Sequence, residues 1–264
     1  MRENYYYGQG KVFLAPRDNK RSLRWVGDVS SLEISFSYEQ KITKTSRSGQ
    51  LFQNKRFITG LTGSIRSSWH NFSTENLATL LGAQVSNEPF SYTEQVELPE
   101  GIVKGDLLAL PHTTVFSVKV GGLESGKDYV IDRQWGTLEF LVTPAHQPLI
   151  VSYEHLANRS LSLFSEEKPE FHLRYQGVNM AEDLKPILFE IFRISIDPLA
   201  VLELISSGND TASMEMTALI MPDLSRMDAS VFSYFGRMQL VTPQPSLTYD
   251  GLITHNGKHQ YRGK

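Results

Sequence analysis

The residues of this sequence whose types and spacing could do chemistry are one pair of histidines and one pair of aspartates. His255 and His259 stand at the helical spacing that can aim two imidazoles at one metal ion, but Gly257 between them disfavours a helix. Asp128 and Asp132 could offer carboxylate oxygens to Ca²⁺, although that ion takes a denser set of oxygen ligands. Turn and strand-edge roles explain both aspartates more simply. We therefore expect no metal site and no cofactor.

The common sequence motifs of catalysis are also absent. The chain has no Gly-x-Ser-x-Gly, no His-Glu-x-x-His and no P-loop, and its Cys count of zero removes a thiol nucleophile and thiolate metal ligands. The sequence predicts that this protein is not an enzyme.

Composition limits the remaining classes of function. The chain has 264 residues, a mass of 29.9 kDa, a net charge of −3 and a pI near 6.2, so it lacks the overall basic charge of a tight duplex binder. Residues 1–7 contain no apolar segment typical of a secretion signal, and no apolar run reaches the roughly 20 residues of a membrane-spanning helix. We expect a soluble, non-secreted protein with no membrane partner.

Apolar and polar residues alternate through much of the chain, which predicts an all-β fold. The clearest strand is 31–40, and its expected partner is 57–67, where the same period of two recurs. One short helix is predicted at 73–82, because Ser73 is a good N-cap, Leu77, Leu80 and Leu81 share one face, and Gly82 can end the helix. We expect a β-sandwich or barrel with this helix at its flank.

A basic segment separates the first two predicted strands. Residues 41–56 carry five cations and no acid, with Gly49 near the middle, and we interpret them as a long polar loop. The loop is either simply solvated or a contact loop that orders on a partner, for which acids such as Glu166, Glu167 and Glu170 are candidates. The candidate residues for such a contact are Lys41, Lys44, Arg47, Lys55 and Arg56.

A second predicted strand pair forms the centre of the chain. Residues 171–176 alternate, whereas 187–196 are apolar on both faces and yet include Glu190 and Arg193. Two interpretations stay open: a strand covered by a neighbouring subunit, or a strand inside a sandwich core whose charges are paired. The candidate interface residues are Phe189, Ile191, Phe192 and Arg193.

Domain boundaries follow from changes in composition. Residues 89–155 have short predicted strands about ten residues apart and an excess of acids, and are expected to form an inserted small β-module. The surrounding core comprises 1–88 and 156–241. Residues 242–264 are polar and rich in Pro and Gly, which predicts a flexible tail or arm.

Six segments of the chain occur in an order and with a character that match one known family: 10–15, 25–35, the short helix, 126–132, 173–179 and Phe235-Gly236-Arg237. In these elements the chain resembles the tail tube proteins of long-tailed, siphovirus-like bacteriophages. The resemblance implies hexameric rings that stack into a tube, through which DNA passes transiently and without sequence specificity. It also implies contacts with a tape measure protein and with tail terminator and distal tail proteins, and a location in the virion tail after synthesis in the bacterial cytoplasm.

With this resemblance, the polar parity of the predicted strands is expected to face the channel. The lumen-facing candidates are Glu33, Ser35, Ser37, Thr62, Ser64, Arg66, His172, Arg174 and Gln176, with Arg66 and Arg174 expected to pair with acids. Two alternatives remain: a β-rich surface-binding or adhesin module, and the tube protein of a contractile secretion machine.

Overall fold

A computed structural model describes residues 5–19, 22–47, 49–165, 170–205, 211–226 and 234–242. Contacts divide the chain into two compact units. We call residues 83–165 the inserted unit, and the residues before and after it the core unit.

The described chain is mostly β-structure, with one α-helix, so the predicted all-β class is confirmed. In chain order the elements are β1 (Gly8–Pro16), a 3₁₀ turn (Arg17–Asn19), β2 (Arg24–Trp25), β3 (Val29–Arg47), β4 (Gln50–Trp69), α1 (Thr74–Leu81), β5 (Gln84–Glu88), β6 (Ser91–Glu97), β7 (Leu107–Ala109), β8 (Val115–Val120), β9 (Tyr129–Asp132), β10 (Thr137–Phe140), β11 (Ile150–His155), β12 (Asn158–Ser162), β13 (Glu170–Asn179), β14 (Lys185–Ile196), β15 (Met214–Ile220) and β16 (Gly236–Leu240).

The core unit is built on one sheet of eight strands. Seven follow the order β2-β1-β13-β14-β15-β4-β3, and β16 pairs with β14 on the same edge as β15. Strand β14 meets β15 from Ile194 to Ile196 and β16 from Ile187 to Ile191, while β13 occupies its other edge. Both edges of β14 are therefore hydrogen-bonded within the chain, which places this strand in the interior of the sheet.

Strands β3 and β4 form a long hairpin, and the prediction of a loop at 41–56 is wrong. The two strands pair from Val29↔Trp69 to Arg47↔Gln50, and the turn contains Gly49 with a positive φ of 78°. Only 63–69 of β4 pair with β15, so the remainder of the hairpin pairs with itself alone. Its residues look like a loop in the sequence because both of its faces are exposed, and neither face needs an apolar stripe.

Helix α1 forms as predicted, between a serine N-cap and a left-handed glycine. The Ser73 side chain accepts a hydrogen bond from the backbone N–H of Asn76, and Gly82 has φ 54° and ψ 46°. Asn76 is fully buried and donates to the carbonyls of Val26 (2.7 Å) and Asn71 (2.8 Å). These bonds, with buried Leu80, fix the helix against the core unit.

The inserted unit consists of two three-stranded sheets and a two-stranded ribbon. The sheets β7-β10-β9 and β6-β11-β8 enclose one apolar core that includes Tyr129, Phe140 and Tyr153. Strands β5 and β12 pair from Glu88↔Asn158 to Gln84↔Ser162, and the Gln84 N–H donates to Ser165 Oγ at 2.9 Å. This ribbon extends the unit beyond the boundaries predicted at 89 and 155, and brings its two ends together.

Candidate assembly surface

Hydroxyl side chains line one exposed face of the β3–β4 hairpin. Ser35 lies opposite Ser64, and Ser37 opposite Thr62, with 2.5 Å between the hydroxyl oxygens of the second pair. The next pair is Glu33 opposite Arg66. All six lumen candidates of this hairpin are exposed and share one face, because directly opposed residues of an antiparallel pair point to the same side.

The register carries this face across the sheet to β13. Ser64 lies opposite Leu219, Leu219 opposite Ser195, and Ser195 opposite Glu170. Alternation along β13 then places three further candidates on the same side, namely His172, Arg174 and Gln176. The nine predicted lumen residues therefore share one face of the sheet.

They do not share one environment, and the prediction for His172 needs correction. His172 is only 8% exposed; its ring stacks on Phe192 with centroids 6.1 Å apart, and its Nε2 lies 3.6 Å from Glu190 Oε1. Phe192 is held in turn by Arg226, whose guanidinium lies 3.3 Å from the Phe192 ring centroid. Buried His172 does not line a channel in this structure, whereas Gln176 is exposed.

Glu190 is the buried charge around which this cluster forms. Arg174 Nη1 donates to its Oε1 at 3.0 Å, and Arg237 donates to its Oε2 from the opposite position on β16. Burial favours the neutral carboxyl, but the hydrogen bond and charge of Arg237, with Arg174 and His172, outweigh it and lower the pKa of Glu190. The expectation that Arg174 pairs with an acid is confirmed.

A second acidic group holds the neighbouring elements of the same face. Glu170 Oε2 accepts hydrogen bonds from Arg193 Nε (2.9 Å) and Arg17 Nη1 (3.0 Å). Arg17 also donates to buried Asp223 at 3.2 Å. The hydrogen bonds from Arg193, more than those from Arg17, lower the pKa of Glu170 against the effect of its partial burial. Glu170 is therefore engaged within the chain, and Glu166 and Glu167 lie outside the described residues.

The predicted subunit interface on β14 is also corrected. Ile191 is 2% exposed and Phe192 3%, so their side chains belong to the chain's own interior. Arg193 is held by Glu170, and Phe189 is half-buried. The interpretation of β14 as a core strand with paired charges is the one that fits. A partner could reach this strand only after a rearrangement.

The part of the hairpin that no other strand pairs with is basic and exposes apolar side chains. We call residues 36–62 the arm. Exposed Lys41, Lys44, Lys55 and Arg56 alternate there with exposed apolar side chains. Those are Phe36, Tyr38, Ile42, Leu51, Phe52, Phe57 and Ile58. The Arg56 guanidinium lies 5.0 Å from the Tyr38 ring centroid, a cation–π contact within the arm.

The aspartate pair of the inserted unit supports turns, as predicted. Asp128 Oδ2 accepts from the Glu124 N–H at 2.8 Å, and Asp132 Oδ1 accepts from the Gln134 N–H at 3.0 Å. No group of three or more His, Asp or Glu residues that could hold a metal ion occurs in the described part of the chain. His255 and His259 lie outside it. Within the same limits, no helix is long and apolar enough to cross a membrane.

A family model described as "Protein of unknown function UCP028589" matches residues 5–239. The chain belongs to this family. The match runs from the first described residues through both units to β16, so the family includes the inserted unit as well as the core. No curated protein matches the chain.

The sequence interpretation missed the exposed tyrosines at the start of the chain. Tyr5, Tyr6 and Tyr7 each remain about two-thirds exposed although their backbone is hydrogen-bonded to the core unit. Three consecutive aromatic residues ahead of a strand were the available signal.

Proposed function

We propose that this chain is a structural virion protein whose hexameric rings stack into the tail tube through which a phage ejects its DNA. The observation that carries the proposal is the exposed hydroxyl face of the β3–β4 hairpin, continuous with an arm that pairs with no other strand in the described part of the chain. Ser35, Ser37, Thr62 and Ser64 present small polar groups over two neighbouring strands.

Such a face suits a conduit better than a binding site. A protein that neutralises phosphates with several Lys or Arg side chains holds DNA by counterion release. The three opposed pairs of the hairpin face contain one acid, Glu33, and one base, Arg66, so their charges cancel. DNA can pass such a wall without a dense set of phosphate contacts.

The arm supplies the argument for assembly. Proteins that act as monomers rarely expose many large apolar side chains together, and they usually protect long strand edges from pairing with another chain. In this chain such apolar side chains and such strand edges occur together on one projecting element. In the proposed tube, neighbouring copies cover the arm.

The remaining parts of the proposal come from the resemblance to tail tube proteins. They are the sixfold ring, the contacts with tape measure, tail terminator and distal tail proteins, the virion location and the lack of catalysis. The arm cations are assigned to contact between rings and not to DNA.

Negative-stain electron microscopy of the purified chain tests the proposal. We expect rings with sixfold symmetry, or hollow tubes built from them, at high protein concentration. Light scattering that reports a strict monomer, together with an absence of tubes at every salt concentration tried, overturns the proposal and favours a surface-binding module.

A further inference from the structure

We propose that the arm of one copy docks on an aromatic end of the core unit of a second copy, and that this end is formed by Tyr5, Tyr7, Met180, Leu184 and Val241. We call these five residues the tyrosine end. The inference deepens the proposed function by naming the surface that receives the arm.

The backbone of the first tyrosines is fixed while their rings stay in solvent. Buried Asn179 accepts from the Tyr7 N–H at 2.9 Å and donates to the Tyr5 carbonyl at 2.8 Å. The Met180 N–H donates to the Tyr7 carbonyl at 2.7 Å. Tyr5 is nevertheless 65% exposed and Tyr7 60%. Rigid, exposed tyrosines lose little conformational entropy when a partner covers them, which makes them good anchors of an interface.

Three apolar side chains adjoin the tyrosines at the same end of neighbouring strands. Met180 follows β13, and Leu184 precedes β14 in a turn where Asp183 (φ 48°) and Leu184 (φ 56°) are both left-handed. Val241 follows β16, and its N–H donates to the Pro186 carbonyl. All three side chains are exposed, so apolar groups and tyrosines occur together at this end of strands β1, β13, β14 and β16.

The chemistry of the arm complements this surface. Tyrosine faces attract Lys and Arg cations, as Arg56 on Tyr38 shows within the arm itself. The turn of the tyrosine end also carries Glu182 and Asp183. The Glu182 carboxylate forms an ion pair with Lys185, with 3.0 Å between Oε2 and Nζ. The arm between residues 41 and 56 has five cations and no acid, together with exposed Leu51 and Phe52. Exposed apolar side chains therefore occur on both surfaces, and the exposed Asp183 carboxylate complements the cations of the arm.

The tip of the arm lies far from the place where its first strand passes the tyrosines of its own copy. Near its start, β3 lines a cavity of about 240 Å³, to which Leu32 and Ile34 contribute together with Tyr6 and Gly8. From Ile34 the strand continues to Arg47, which at about 3.3 Å per residue carries the end of the arm roughly 40 Å away. A contact between different surfaces of identical copies is heterologous, and it continues from copy to copy.

Of the three acids first considered as partners of the arm, Glu170 is the one that lies in the described part of the chain, and it is engaged within its own copy. Glu170 already accepts hydrogen bonds from Arg17 and Arg193. The tyrosine end offers the arm exposed apolar side chains together with the exposed acid Asp183.

Complementation of two variants tests the docking. The arm variant is Lys44→Glu with Lys55→Glu, and the tyrosine variant is Tyr5→Asp with Tyr7→Asp. Each alone should stop at the single ring or subunit, since it lacks one of the two surfaces. Mixed, they should form one junction and double in mass by analytical ultracentrifugation, without further growth. A tyrosine variant that elongates like the wild type, or a mixture that does not associate, overturns the docking.

Matched controls separate docking from folding. Tyr5→Phe with Tyr7→Phe, and Lys44→Arg with Lys55→Arg, keep the rings and the charges and should elongate normally. Because the chain has no Cys, the double variant Tyr7→Cys with Phe52→Cys can also form a disulfide between copies. The double variant should give a series of covalent oligomers on a non-reducing gel, whereas each single Cys variant should give no species larger than a dimer. A double variant without such a series counts against docking.

Electron micrographs test the proposed tube independently of the docking. If the two variants complement each other but the wild type builds solid fibres, the conduit is rejected and the docking is supported. If the tyrosine variant still forms hollow tubes, the conduit is supported and the docking is rejected.

Discussion

Glu190 on β14 accepts a hydrogen bond from Arg237, the residue directly opposite it on β16. Glu190 is 4% exposed, so its charge depends on Arg237 and Arg174. Glu190→Gln leaves two arginines without their acid, although each is partly exposed and can regain water. We expect a loss of about 1–3 kcal/mol in the free energy of unfolding by urea titration.

Glu215→Gln is the matched control for that variant. Glu215 lies on the neighbouring strand β15 and is exposed, so the same change there should stay within about 0.5 kcal/mol of the wild type. If both variants lose the same free energy of unfolding, the Glu190 ion pairs do not contribute specifically to stability.

Acid should destabilise the core unit through the same carboxylates. Both Glu170 and Glu190 have a pKa lowered from 4.5 in the folded chain. Groups of this kind contribute stability that is fully present above the unfolded pKa and is lost as the pH falls through the folded pKa. Urea midpoints should therefore be steady from pH 7 to about 5 and fall below pH 4.5. The combined Glu170→Gln and Glu190→Gln variant should show a flatter decline over that window.

Ile191→Asp should unfold the chain and not merely prevent assembly. Its side chain is buried within the copy itself, and an unpaired carboxylate there should cost more than about 4 kcal/mol. Leu219→Asp is the matched control, because Leu219 is 52% exposed on the adjacent strand β15. Circular dichroism should show a folded Leu219→Asp chain. A folded, strictly monomeric Ile191→Asp chain would instead support a subunit interface on β14.

Removal of the inserted unit should leave the core unit folded. Strands β5 and β12 pair up to Glu88↔Asn158, so replacing residues 89–157 with Asn-Gly should close the ribbon as a two-residue hairpin. We expect a cooperative thermal transition for this shortened chain and rings or tubes in micrographs. Expressed alone, residues 83–165 should fold around their own core. Aggregation of both pieces would show that the two units depend on each other.

Alternation of side chains was enough to predict the elements whose two faces differ. Leu32, Ile34 and Phe36 identified the first long strand, and Ser73 and Gly82 the limits of the helix. The common polar face of nine residues on three strands also followed from parity, since side chains alternate strictly along a strand. The all-β class was thus present in the sequence.

The tertiary structure decided which of these side chains meet water. His172 has the same parity as exposed Gln176, yet it is buried and its ring stacks on Phe192. The sequence of the arm predicted a loop, because a hairpin that is exposed on both faces needs no apolar stripe that would indicate a strand. Glu190 and Arg237 are far apart in the sequence, and their pairing depends on β16 lying beside β14. Local patterns determine the period and parity of each strand, whereas burial and ion pairing depend on contacts between distant segments, and those contacts form only when the chain folds.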